Sequence, residues 1–181
     1  MQAVTIFGGS QTNPGEQGYE AARRLGRLLA EAGWTVITGG YMGTMEAASR
    51  GANEAGGHVI GITCDEIEAY RRVGHNAWVK EERRYSTLRE RIHALIEASD
   101  AALALPGGPG TLAEVSSMWN HLLIGAVPPR PLILIGPGWQ ETMQLFVRNF
   151  STYIPAAQQH WLQFAADVDV AVKLLDHPAN K

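Results

Sequence analysis

Short apolar runs alternate with longer amphipathic stretches along most of the chain. The runs predict buried strands at about 3–7, 35–38, 58–62, 101–105 and 131–135, with a shorter strand near 162–165. The stretches between them have helical spacing, so that Leu25 and Leu29 fall on one face of a helix predicted over 17–32. Alternating strands and helices are typical of a mostly parallel sheet with helices on both faces. We therefore expect one Rossmann-like α/β domain over 1–181.

The remaining apolar spacing predicts further helices, one carrying Met45 and Ala48, and others over about 86–98, 112–124 and 139–150. Ser86 or Thr87 is the expected N-cap of the helix over 86–98. The segment 64–85 is charged and has no clear periodicity, so we expect a long loop there. Because long loops in compact domains are usually functional, it is a candidate rim or lid.

The strand predicted at 101–105 ends in a run of glycines and prolines, and a helix follows. Such a junction directs backbone N–H groups and the positive end of the helix at one point, where a phosphate fits. The predicted phosphate-binding residues in this loop are Gly107, Gly108, Gly110 and Thr111. Glu114 follows about one turn into the helix, close to whatever the phosphate anchors. The alternative is a tight turn with no ligand.

Two other kinds of nucleotide loop do not fit these residues. A Walker-type loop requires a lysine, and 106–114 contains none. A dinucleotide-binding fold would place an acidic residue after its second strand, where this chain has Gly39 and Gly40. Because parallel strands share a carboxyl edge, the other glycine-rich strand ends are expected beside the phosphate loop. They add these candidate phosphate- and ribose-binding residues: Gly9, Ser10, Gly39, Gly40, Gly43 and Thr44.

Composition narrows the classes of partner. The net charge of −3 and the pI of about 6.1 predict no basic face for nucleic acid. No apolar run approaches the roughly 20 residues of a membrane span, so we expect a soluble, cytoplasmic protein without a membrane partner. Cys64 is the only cysteine, which excludes an internal disulfide and a cysteine-rich zinc site. The six histidines lack metal-ligand spacing, and we expect neither a metal nor a cofactor.

Residues 39–45 and 106–114 together resemble the Lonely Guy (LOG) family of nucleoside 5′-monophosphate phosphoribohydrolases. The family pattern P-G-G-x-G-T-x-x-E is matched at every fixed position, and the resemblance covers about 8–134. It implies hydrolysis of the N-glycosidic bond of AMP or a cytokinin-type riboside monophosphate, giving free base and ribose 5-phosphate. It also implies a homodimer. A pyridoxal-phosphate decarboxylase, an old label for such chains, is excluded because Lys80 is the only lysine away from the C-terminal region and has no cofactor context.

The family's second motif, M-x-x-R-K, aligns with 88–92. Its arginine is present as Arg91, whereas Leu88 replaces the methionine and Ile92 replaces the lysine. The resemblance implies that Arg91 and Glu114 are the catalytic residues. Chains with this departure also resemble molybdenum-cofactor carrier proteins, so a non-catalytic nucleotide- or cofactor-binding protein is the alternative function.

We expect Glu114 to stabilise positive charge on the ribose or to activate water, because a nearby helix N-terminus favours its ionised form. Arg91, which keeps its proton at neutral pH, is expected to orient Glu114 or to bind the substrate. In the alternative, both side chains lie on solvated helix faces. Apolar surface is also expected around Trp119, Leu122, Leu123 and Ile124. Burial in the core is the default for these residues, and a dimer helix face is the alternative that the family resemblance favours.

Overall fold

The computed structural model describes residues 2–176, and within them seven strands form one sheet. The strands are β1 (Ala3–Phe7), β2 (Thr35–Thr38), β3 (Val59–Cys64), β4 (Glu81–Tyr85), β5 (Ala101–Ala104), β6 (Leu132–Ile135) and β7 (Leu162–Ala165). Their order is β4-β3-β2-β1-β5-β6-β7, and every neighbouring pair is parallel. The predicted Rossmann-like fold is confirmed, with a sheet that is parallel throughout.

Helices cover both faces of the sheet. They are α1 (Gln17–Glu31), α2 (Thr44–Glu54), α3 (Asp65–Arg71), α4 (Leu88–Glu97), α5 (Pro109–Leu123), α6 (Pro137–Asn149), α7 (Ala156–Gln159) and α8 (Val168–Asp176). Side chains of α1, α2 and α8 pack on one face of the sheet, and side chains of α4, α5 and α6 pack on the other. Among residues 2–176, no helix is both long enough and apolar enough to cross a membrane.

The prediction of a long loop over 64–85 is wrong. The segment contains α3 and the edge strand β4, which pairs with β3. Side chains of β4 alternate between half-buried and exposed, and they include Glu81 and Arg83, whose charged groups lie 2.7 Å apart. Charged residues are typical of edge strands because they prevent pairing with other chains. The absence of an apolar face is the reason that hydrophobic periodicity missed this strand.

Thr87 is the N-cap of α4, as predicted. Its hydroxyl accepts a hydrogen bond from the backbone N–H of Glu90 at 3.2 Å, and the Glu90 carboxylate accepts from the backbone N–H of Thr87 at 3.0 Å. This reciprocal capping box fixes where the helix starts. It therefore determines which residues of α4 face the sheet, Arg91 among them.

Trp119 and Leu122 lie in the core between α5 and the sheet, where both are less than 9% exposed. The Trp119 indole N–H also donates to the carbonyl of Gln158 at 3.1 Å. Ile124, directly after α5, is instead 70% exposed. The core interpretation therefore holds for Trp119 and Leu122.

Glycines allow α1 and α2 to cross at close range. A Cβ on Gly26 of α1 would lie 2.0 Å from the carbonyl oxygen of Ala48. A Cβ on Gly51 of α2 would lie 1.8 Å from the carbonyl oxygen of Arg23. Because backbone atoms cannot move aside as a side-chain tip does, this crossing requires glycine at both positions.

We predict that Gly26→Ala lowers the free energy of unfolding by about 1–3 kcal/mol, since the added methyl group forces the two helices apart. Gly138→Ala is the matched control, because a Cβ at this glycine of α6 has open space around it. The control should leave stability unchanged or raise it by up to about 1 kcal/mol through helix propensity. Urea denaturation measures both, and equal stability of the two variants would contradict the proposed close crossing.

Candidate active site

Three glycine-rich loops meet at the carboxyl edge of the sheet, where β2, β1 and β5 are neighbours. Gly9, in the loop after β1, joins the other two. Its N–H donates to the carbonyl of Pro106 at 3.2 Å, and its carbonyl accepts from both the N–H and the hydroxyl of Thr44 at 2.9 Å. The predicted grouping of the three strand ends is therefore correct, and backbone hydrogen bonds fix their relative positions.

The loops approach so closely that side chains are excluded between them. A Cβ on Gly107 would lie 2.1 Å from the hydroxyl of Thr111, and one on Gly43 would lie 2.6 Å from the carbonyl oxygen of Gly9. Gly43 also has a φ of +73°, which L side chains rarely adopt. These glycines shape the site through the backbone they bring together.

The start of α5 is open towards solvent. Its N-cap is Gly108, followed by Pro109 at the first helical position. A Cβ on Gly108 or Gly110 would meet no atom within 4 Å, so there is free space beside both residues. Thr111 is buried at the base of this space. Backbone N–H groups at a helix start, combined with the positive end of the helix, can bind an anion such as a phosphate.

Ser10 lies at the rim of the same edge. It is half-buried, and its hydroxyl accepts a hydrogen bond from the side chain of Gln11 at 3.3 Å. Gly40 lies below the surface, where its N–H donates to the hydroxyl of Thr38 at 3.1 Å. Ser10 is therefore accessible to a ligand, whereas Gly40 supports the turn.

Arg91 and Glu114 form an ion pair inside the protein. The side chains come from α4 and α5, and Nη1 of Arg91 lies 3.2 Å from Oε1 of Glu114. Arg91 is 3% exposed and Glu114 is 8% exposed. The alternative that these side chains lie on solvated helix faces is therefore wrong.

The guanidinium group of Arg91 is held by two backbone carbonyls as well as by Glu114. Its Nε donates to the carbonyl of Ile62 at 2.8 Å, and its Nη2 donates to the carbonyl of Gly39 at 3.2 Å. A Cβ on Gly39 would lie 1.9 Å from Nη2. Gly39 thus provides both an acceptor for Arg91 and the room that the guanidinium group occupies.

Burial raises the pKa of Glu114 above its ordinary value, while the charge and hydrogen bond of Arg91 oppose this rise. The expectation that the helix N-terminus would favour the ionised form is wrong. Because α5 begins at Pro109, Glu114 lies in its second turn, and the effect of a helix end falls off within the first. Loss of hydration is the larger contribution here.

Tyr41 and Asn76 belong to the site and were not predicted as contacts. The ring of Tyr41 lies over the guanidinium group of Arg91, with its centroid 5.6 Å from Cζ. The side-chain amide of Asn76 donates to the carbonyls of Gly40 and Tyr41 at 3.0 and 2.9 Å. Asn76 lies in the charged segment 64–85, far from residues 40 and 41 in sequence. No pattern in the neighbouring sequence therefore indicated that it binds their carbonyls.

Leu88 and Ile92, at the motif positions where the family has methionine and lysine, line a cleft outside the ion pair. The cleft has a volume of about 500 Å³ and lies between α4 and α5. Its other lining residues are Glu66, Arg89, His93, Ile96, Ser117 and His121. Within residues 2–176, no three His, Cys, Asp or Glu side chains are grouped so as to hold a metal ion.

Comparison with known proteins identifies the family. Residues 1–127 match the SLOG cluster4 family. A protein of Oryza sativa subsp. japonica, named probable cytokinin riboside 5′-monophosphate phosphoribohydrolase, is 32% identical over 97% of this chain and 78% of its own length. A cytokinin riboside 5′-monophosphate phosphoribohydrolase of Mycobacterium tuberculosis is 32% identical over 65% of this chain and 62% of its own.

A solved structure matches nearly the whole fold. It is the molybdenum cofactor binding protein from the phototrophic bacterium Rippkaea orientalis, with a TM-score of 0.76 and 25% identity, over 97% of this chain and 95% of that chain. The fold is thus shared by proteins named as hydrolases and by a cofactor-binding protein. By its sequence match over residues 1–127 and by its relatives, this chain belongs to the SLOG cluster4 (Lonely Guy) family.

Proposed function

We propose that this protein hydrolyses the N-glycosidic bond of a nucleoside 5′-monophosphate and releases free base and ribose 5-phosphate. The observation that carries the proposal is the buried pair of Arg91 and Glu114, 3.2 Å apart, one helical turn beyond the open start of α5. Relatives at 32% identity are named for this reaction on cytokinin riboside monophosphates. AMP and cytokinin-type riboside monophosphates are the proposed substrates.

The 5′-phosphate binds at the start of α5 in this proposal. The N–H groups of Gly108, Gly110 and Thr111, together with the Thr111 hydroxyl, are its donors. Thr111 and Glu114 are three residues apart, which corresponds to a rise of about 4.5 Å along the helix axis. Anchoring the phosphate at this end therefore brings the ribose towards the carboxylate.

Cleavage of the bond between C1′ and the base nitrogen creates positive charge on the ribose ring, as in other glycoside hydrolyses. The electron pair of the broken bond leaves with the base, which takes a proton from solvent, and a water oxygen bonds to C1′. The proton that this water gives up returns to solvent through Glu114. Glu114 in its ionised form stabilises the ring charge and accepts the proton that the water releases. Arg91, held by Ile62 and Gly39, keeps the carboxylate in place.

A carrier of a phosphorylated cofactor is the second candidate function. It is favoured by the likeness to the molybdenum cofactor binding protein and by Ile92 in place of the motif lysine. Such a protein would use the same loops and retain its ligand unchanged. Turnover of a nucleoside monophosphate separates the two functions.

A homodimer formed through α4 and α5 is also part of the proposal. Leu88 of α4, Leu112 of α5 and Ile124 directly after it are 42%, 46% and 70% exposed. Apolar side chains grouped on two adjacent helices are typical of a surface covered by a partner. A second copy of the chain would cover this surface and close the cleft beside the site.

We predict that Glu114→Gln lowers the rate of base release from AMP at least about 100-fold, the usual contribution of a general base. Glutamine has the same shape and its carbonyl still accepts from Arg91, but it leaves the buried Arg91 charge without a counter-charge, so urea denaturation of the variant accompanies the rate measurement. Glu141→Gln, the same change at an exposed position of α6, is the control and should keep full activity. Chromatography of the products measures free base, and adenosine, which lacks the phosphate, should not be cleaved.

We predict that kcat/KM falls as the pH is lowered through the pKa of Glu114, because the ionised carboxylate is the active form. The raised pKa of this residue places the midpoint above 4.5, the ordinary glutamate value. Arg91→Met removes the charge that lowers the pKa, so the acid limb should move to higher pH, and Arg91→Lys should move it less. Arg148→Met, at an exposed arginine of α6, is the control. An acid limb identical in wild type and Arg91→Met would contradict the role of Glu114.

We predict that sedimentation equilibrium gives a mass of twice the 19.6 kDa of one chain. Ile124→Asp should shift the protein to the monomer, since it places a charge in the proposed interface. Leu145→Asp, at an exposed position of α6, should leave the dimer intact. A monomeric wild type at micromolar concentration would overturn the proposed assembly.

A further inference from the structure

An aromatic ring lies over the guanidinium group of Arg91, in addition to the hydrogen-bond acceptors of that group. The acceptors are the carbonyls of Ile62 and Gly39 and the carboxylate of Glu114, and the sulfur of Met45 lies 4.0 Å from Nη2. The ring of Tyr41 lies 5.6 Å from Cζ of Arg91, within the roughly 6 Å over which a cation is attracted to an aromatic face. Tyr41 is 1% exposed, so this contact is shielded from water.

Tyr41 is itself fixed at both ends. Its hydroxyl donates to the carbonyl of Cys64 at 3.1 Å and accepts from the N–H of Cys64 at 2.8 Å. Its backbone carbonyl accepts from the side chain of Asn76 at 2.9 Å. The ring therefore has a set position relative to β3, the strand that also provides the Ile62 carbonyl for Arg91.

We propose that Tyr41 is a positioning residue, whose fixed ring holds the guanidinium group of Arg91 against Glu114. This inference rests on the proposed hydrolase function and adds to it a role for a residue that the sequence did not single out as a site residue. Without the ring, space opens beside the guanidinium group, which can then move away from the carboxylate. Tyr41 acts on the reaction only through this pair and does not touch the reacting atoms.

Displacement of Arg91 should be measurable through the pKa of Glu114. The ionisable groups that act on Tyr41 are Arg91, Cys64 and Glu68, and of these Arg91 also pairs with Glu114. Because Arg91 opposes the rise in the pKa of Glu114, its displacement raises that pKa further. A tyrosine that only filled the core would have no such effect on Glu114.

The test compares Tyr41→Phe, which keeps the ring, with Tyr41→Leu and Tyr41→Met, which remove it. Tyr41→Phe should retain kcat for AMP within about 3-fold, and the ring-free variants should lose about 10- to 100-fold in kcat with little change in KM. In the ring-free variants only, the acid limb of the pH profile should move to higher pH by about 0.5 pH unit or more. Two ring-free variants are included so that poor folding of one leaves the test in place.

Tyr19→Leu is the matched control, because Tyr19 is also fully buried, and its hydroxyl donates to Glu46 instead of contacting Arg91. It should lower stability without moving the acid limb. An equal shift in Tyr19→Leu, or an unmoved limb in both ring-free variants, would overturn the role of Tyr41.

A second measurement does not depend on turnover. The carboxyl ¹³C signal of Glu114, followed by NMR as the pH is changed, should titrate at higher pH in Tyr41→Leu than in wild type. If wild type cleaves no monophosphate, the proposed hydrolysis fails, and the NMR shift still decides whether Tyr41 positions Arg91. If turnover is present and the NMR titration is unchanged, the positioning role alone is rejected.

Discussion

The buried ion pair of Arg91 and Glu114 constrains the positions of the elements around it. Removing two charges from water costs several kcal/mol per ion unless each group is paired and hydrogen-bonded. Glu114 depends on Arg91, and Arg91 depends on the carbonyls of Ile62 and Gly39. These partners come from β3, from the loop after β2, and from α4 and α5. The relative positions of four elements are therefore tied to one guanidinium group.

The glycine loops satisfy this constraint and also form the candidate ligand site. Gly39 leaves the space that Arg91 fills, and Gly9 joins the loops after β2 and β5 by hydrogen bonds to Thr44 and Pro106. As a result, the open start of α5 is held at a fixed position relative to the ion pair. The proposed phosphate-binding end and the carboxylate belong to the same helix, so the helix itself fixes the distance between them.

Most of the fold was predictable because its strands are apolar and its helices amphipathic. Arg91 and Glu114, which the structure pairs, and the glycine loops, which it brings together, were singled out from residue types at fixed spacing within short segments. Strand β4 was missed because its charged residues carry no hydrophobic pattern, although hydrogen bonds to β3 are sufficient to form it. The contact of Asn76 and the raised pKa of Glu114 depend on burial and on distant segments, which local sequence does not encode.

The ion pair also bears on the choice between hydrolysis and ligand carriage. A protein that only retained a phosphorylated ligand would need the glycine loops and the start of α5, but not a carboxylate buried at the cost of its hydration. Ile92 lies in the cleft outside the pair, so the loss of the motif lysine leaves Arg91 and Glu114 in contact. The departure from the family motif therefore leaves intact the pair on which the proposed hydrolysis depends. The presence of a buried ion pair, in spite of its desolvation cost, therefore favours the hydrolase proposal over ligand carriage.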